Sequence, residues 1–197
     1  MLVCPCATIR VVGTIITLTS STFLGSLGDN FLINALRTVA CRPECVKRLL
    51  VTEQYANRGV YTFKFYKSGR WRYVHVDDGI PSRKSGRVHY CRNSDPNETF
   101  AMLLEKAYAK LHGCYEAIAY GLLEKALHDL TGGSPLTLRV ENILVEDVCN
   151  VYFETLQKAM EKKQLAVCGR WVPDPYSEHN QDRKGTKPSH RIKSREI

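Results

Sequence analysis

No apolar run in this chain reaches the roughly 18 residues that a membrane-spanning helix needs, because Thr and Ser interrupt even the most hydrophobic stretch, residues 11–24. No basic leader precedes a clear apolar core there, so a signal peptide is not expected and a cytoplasmic location is. The eight cysteines, at 4, 6, 41, 45, 91, 114, 149 and 168, include no C-x-x-C pair, and no histidine pair lies at zinc-finger spacing. A structural zinc site and a dense disulfide framework are both disfavoured, and reduced thiols are the expected state. Acidic residues are outnumbered, 20 against 28 basic ones, giving a net charge of +8. The excess is scattered, however, and the basic tail around 183–195 carries no interleaved aromatics and is diluted by Asp182 and Glu196. Nucleic acid is therefore a poor fit as a partner. Leu-Leu-Glu-Lys-Ala occurs at 103–107 and again at 122–126 with no wider period, which excludes a repeat architecture.

What is present suits one domain: 197 residues can bury a substantial core but not two ordinary ones. Gly25 and Gly28 suggest a tight loop that runs into a helix over 30–40, with Leu32, Ala35, Leu36 and Val39 at helical spacing and Asp29 or Asn30 as its cap. Arg42-Pro43 should interrupt that helix, and residues 44–51 add a further turn or two. Alternating aromatics at Tyr61, Phe63 and Phe65, the turn 67–70 and the alternating run 71–76 predict a hairpin. Asp77 and Asp78 invite an acid/base or metal reading, against which stands the plainer one of a solvated strand end closed by Gly79 and Pro81. A third short strand is expected over 87–91, a helix over 99–111 ended by Gly113, and another over 122–130 ended by Gly132. Residues 136–140 suggest a strand. Residues 145–163 predict the longest amphipathic helix, with Val148, Val151, Tyr152, Leu156 and Met160 facing the core, and 165–168 a short apolar strand.

Five segments in order resemble the calpain family of cysteine peptidases: Leu-Gly-Asp-Asn-Phe-Leu at 27–32, Val-Asp-Asp-Gly-Ile-Pro at 76–81, Leu-Leu-Glu-Lys-Ala-Tyr-Ala-Lys at 103–110, Gly-Cys-Tyr-Glu-Ala at 113–117, and Asp-Leu-Thr-Gly-Gly at 129–133. The resemblance implies a mixed α+β fold of papain-like type, the helical lobe of the calpain core with a small antiparallel sheet. It implies an unassigned segment at 1–23, the first subdomain of the protease core at 24–169, and a basic tail at 170–197 that is expected to be disordered.

In that family the loop-to-helix junction reads Gln-Gly-x-Leu-Gly-Asp-Cys-Trp. A thiol at a helix start is acidified by the helix dipole, and the glutamine stabilises the acyl-transfer oxyanion. Matching positions puts Asn30 at the nucleophile and Leu24 at the glutamine. Asn has no ionisable thiol, and loss of the oxyanion donor alone costs about a hundredfold or more in rate. The family's histidine and asparagine belong to a second subdomain, and His179 and His190 lie outside any matching motif. Family members also bind calcium in this subdomain; Glu98 matches one ligand, while the aspartate position falls on Ser21, short of the usual set of about six to eight oxygens. No cofactor is expected to be required. The implied function is that of a pseudoprotease that binds protein partners or sits among other domains of a larger calpain-like assembly. The alternative is one lobe, or a truncated form, of an active calpain-type peptidase, for which Cys41 and Cys45 are the nearest other thiols, neither expected at a helix start.

Overall fold

The periodic apolar residues of 30–40 do form a helix, and its position organises everything around it. The computed structural model describes residues 22–51, 58–95, 98–138, 146–168, 170–172 and 191–193. Helix α1, Asn30–Ala40, buries Phe31, Leu32, Ile33, Ala35, Leu36 and Val39. With a polar residue at only two of its buried positions, Asn30 and Asn34, it is the central helix of the core rather than a surface one. The chain leaves α1 through Arg42, whose backbone is extended as expected before a proline, and α2, Pro43–Leu49, starts with Pro43 in its first turn. It buries Val46 and Leu49.

Strands β2, Val60–Lys67, and β3, Arg70–Asp77, pair antiparallel through a two-residue turn. Ser68 and Gly69 both have positive φ, 53° and 78°, the type I′ geometry whose twist matches that of the flanking strands. Tyr61, Phe63 and Phe65 are buried on one face. Phe63 packs 5.7 Å from Phe100 and Phe65 5.6 Å from Tyr108, ring centre to ring centre, so the hairpin lies on α3, Phe100–His112. Each such ring removed from water stabilises the fold by roughly 2 kcal/mol.

Asp129 in α4, Leu123–Thr131, ties these layers together. Its buried carboxylate accepts from Lys67 Nζ at 2.7 Å and from the Tyr108 hydroxyl at 2.9 Å. The end of β2, the middle of α3 and the end of α4 therefore meet at one charge. That burial, with the carboxylate beside it, holds the Tyr108 hydroxyl well above its ordinary range. His112 is shifted down, first by burial and then by Lys67. At the opposite end of the hairpin, Lys106 Nζ binds Asp77 Oδ1 at 2.7 Å and lowers its pKa. The Asp78 N–H donates to the Gly59 carbonyl at 3.1 Å. The strand-end reading of the two aspartates accounts for these contacts.

The described elements form a mixed α+β fold of five helices with two-stranded antiparallel sheets. Several expectations differ. Residues 87–91 are not a strand: Val88 forms an isolated bridge with Ser82 as the segment folds back on 81–83, and the short strand β4 lies at Arg92–Asn93, paired with β1, Thr22–Phe23. At its end the Cys91 N–H donates to the Glu105 carboxyl instead of a neighbouring strand. Helix α5, Glu146–Glu161, has the expected place but not the expected packing. Val151, Leu156 and Met160 are exposed, as is Phe153, because α1, α3, α4 and the hairpin already close the core. Tyr152 is half-buried, and the Val148 side chain lies outside the described residues.

Residues 136–138 and 165–168 have no regular structure, although Leu165 packs against the core. Within the tail, β5, Arg170–Val172, pairs with β6, Arg191–Lys193, so these residues are strands where disorder was expected. Residues 1–21, including Cys4, Cys6 and Ser21, lie outside the described residues. The described cysteines 41, 45, 91, 114 and 168 are free thiols.

Replacing Asp129 by Ala removes the acceptor shared by Lys67 and Tyr108. It should lower unfolding free energy by about 2 to 4 kcal/mol, measured by urea denaturation.

Candidate active site

Residues 24–29 reach the start of α1 by passing unusually close to two other segments. A Cβ on Gly25 would stand 2.2 Å from the Tyr90 backbone, and one on Gly28 would stand 2.7 Å from the Ala119 carbonyl oxygen. Neither glycine has positive φ. Their role is close approach rather than the tight turn expected from sequence. The Ser26 N–H donates to the His89 carbonyl at 3.3 Å, and the Ser26 hydroxyl donates to the same oxygen at 3.0 Å. The loop is thereby fastened along 89–90, while Tyr90 stacks on Tyr115 with ring centres 3.9 Å apart.

Asp29 is the cap residue of α1, and Asn30 is its first helical residue. The Asp29 carbonyl accepts from the Leu32 and Ile33 N–H groups at 2.9 and 3.2 Å. Its side chain makes no capping bond, contrary to the capping role expected of Asp29 or Asn30. That carboxyl instead turns inward, fully buried, and meets Glu105 of α3, which is also buried. Both Asp29 oxygens lack an ordinary donor, so the pair holds together when Glu105 keeps its proton and donates it to Asp29. Glu105 in turn accepts the Cys91 N–H at 3.1 Å. Burial, then the Asp29 charge, pushes Glu105 up to about 9. Burial also raises Asp29 and, with Glu105 beside it, raises the Cys91 thiol.

Asn30 is buried directly above this pair in sequence, at the end of the helix where unsatisfied N–H groups create a positive potential. Leu24 lies six residues back and is 45% exposed. It lines an open cavity of about 220 Å³ together with Ser26, Arg83, Arg87, His89 and Arg92. The geometry thus brings the loop carrying Leu24 and Asn30 beside residues 83–92, none of which stood out as a site residue in sequence. A carboxyl inside an apolar helical stripe, Glu105 among Leu103, Leu104 and Ala107, was the available signal for the buried pair.

Glu98 stands apart from this loop. It is half-buried in the turn before α3, where its carbonyl accepts from Asn93 Nδ2 at 2.9 Å. Among the described residues no three His, Cys, Asp or Glu side chains gather as a metal site. Glu98 brings a single carboxylate to this turn, and Ser21 lies outside the described residues. Of the other thiols, Cys41 follows α1 and is exposed. Cys45 sits in the first turn of α2, half-buried against the core, rather than away from a helix start as expected.

A glycine loop delivered to the buried start of a core helix, within a mixed α+β fold, is the architecture of a cysteine-protease-type domain. A family model described as calpain family cysteine protease matches residues 17–191, and the chain belongs to that family. It is 41% identical over 110 residues to the calpain-type cysteine protease DEK1 of Zea mays, covering 56% of this chain and 5% of that protein. It is 39% identical over 117 residues to Calpain-5 of Caenorhabditis elegans, covering 58% and 18%. With Calpain-9 of Mus musculus it shares 34% identity over 149 residues, 73% of this chain and 20% of the relative. The chain spans a fifth or less of the length of these relatives. No helix among the described residues is long and apolar enough to cross a membrane.

The carboxyl pair makes stability depend on pH with a definite sign. Glu105 holds its proton more tightly when folded, so its contribution is full below about 4.5 and is lost as pH rises through about 9. Urea midpoints should fall across that interval for the wild-type chain, and Glu105→Gln, which can still donate to Asp29, should flatten the fall.

Proposed function

We propose that this chain is a catalytically inactive calpain-type domain, the first subdomain of the protease core at 24–169, which acts by binding protein partners or other domains of a larger calpain-like protein. The observation that carries the reading is Asn30, which occupies the first position of α1, where the family's junction motif carries the nucleophilic cysteine. A carboxamide has no proton whose loss would yield a nucleophile at neutral pH, and the helix dipole cannot supply one. Leu24, at the glutamine position, is an aliphatic side chain with no donor for an oxyanion. A packed core of helices and a buried Asp29–Glu105 pair beside a position without an ionisable group support retention of the fold for recognition. Residues 170–197 are proposed as an appendage to that unit.

The alternative, one lobe of an active peptidase completed elsewhere, draws on the small share of the relatives that the chain covers. It needs a thiol at the junction. Cys91 is fully buried with its thiol held protonated, and Cys45 packs into the core, so neither stands in for the residue at 30.

Incubation of the purified chain with casein and calcium should leave the substrate intact at every time point. Calcium-dependent cleavage by the wild-type chain, retained in Asn30→Ala, would reveal another nucleophile and overturn the assignment.

A further inference from the structure

We propose that the cavity beside the active-site loop is a binding site for a phosphoryl dianion. Its charged lining is all of one sign: Arg83, Arg87 and Arg92 face it with His89 and Ser26, and among the described residues no carboxylate lines it. Among the described residues none of the three guanidinium groups has a carboxylate partner, whereas Lys67 and Lys106 do. Three unneutralised cations around one concavity of about 220 Å³ are mutually repulsive, and an anion in the cavity relieves that repulsion.

Several lining residues are held in place before any ligand arrives. Arg92 belongs to β4, paired with β1, and its guanidinium lies 5.7 Å from the Phe23 ring centre. Arg83 and Arg87 are set opposite one another by the loop bond from the Arg83 N–H to the Arg87 carbonyl at 2.8 Å. Gly25, in contact with the Tyr90 backbone, fixes the far wall. Guanidinium groups present planar pairs of N–H donors that match phosphoryl oxygens, and a dianion engages more than one of them where a lone carboxylate saturates one.

The Ser26 and His89 pair does not make this a second catalytic centre. Ser26 Oγ lies 3.4 Å from His89 Nε2, but its proton is directed to the His89 carbonyl at 3.0 Å. The imidazole is therefore placed to donate to the hydroxyl rather than to take its proton. With those protons engaged within the pair, the anion site rests on the three guanidinium groups. The proposal goes beyond the pseudoprotease reading and does not depend on it, since it stands on residues 83–92 and not on Asn30.

The test titrates the isotope-labelled full chain with inorganic phosphate, a short phosphoserine peptide, the same peptide unphosphorylated, and acetate, following the His89 ring resonances and the heat of binding. Phosphate and the phosphopeptide should saturate a single site and weaken as salt rises. Arg83→Ala and Arg87→Ala, both at exposed positions, should each loosen binding by about tenfold or more, while Lys110→Ala on α3 leaves it unchanged. A phosphopeptide that binds at least about tenfold tighter than phosphate assigns the group to a protein partner, and equal affinities assign it to a small phosphorylated molecule. Acetate binding as tightly as phosphate, indifference to both arginine substitutions, or failure to saturate would each overturn the proposal.

Discussion

One shared proton between two buried carboxyls, Asp29 and Glu105, is the constraint on which the active-site region depends. Two ionised carboxylates in that position would each lose hydration and repel the other, so the pair exists only with a proton between them. Its geometric effect is wide. Asp29 fixes the start of α1, Glu105 belongs to the middle of α3, and the Cys91 N–H bound to Glu105 anchors the segment that runs back along the loop. Remove the pair and three separate pieces of chain lose their common point. The Asp129 cluster does the same for the hairpin and α4, with a lysine in place of the proton as the neutralising partner.

These two polar centres hold the shape of the region around the start of α1. Asn30 is placed by Asp29 on one side and, on the other, by the buried face of α1 to which it belongs. The relatives are named as cysteine proteases, and in this chain two buried polar centres hold the segments around residue 30. The cationic cavity next to it is built by a different segment, 83–92, brought close by the glycine contacts of the loop. The start of α1 and the cationic cavity are accordingly built by separate segments of the chain.

Much of the fold was legible because its local signals agree with its packing. The apolar spacing of α1, the aromatic alternation of the hairpin, the proline opening α2 and the glycine after α3 each named an element whose bounds the structure repeats within a residue or two. Where local pattern misled, a tertiary interaction had taken over. Residues 87–91 alternate like a strand, yet a glutamate from α3 takes the Cys91 N–H. The stripe on α5 resembles a core face, yet the core is complete without it, and its apolar side chains remain at the surface.

By itself the sequence determined the family and the places of the main helices and of the hairpin, because those depend on residue type and on spacing along the chain. Only the tertiary structure decided that Asp29 turns inward to share a proton instead of capping its helix, and that three arginines gather beside Leu24. Both outcomes depend on segments some 60 to 75 residues apart in the chain meeting in space, a proximity that burial and close backbone packing create and that no local pattern encodes. Asn30 was legible in the sequence as the start of a core helix; what surrounds it was not.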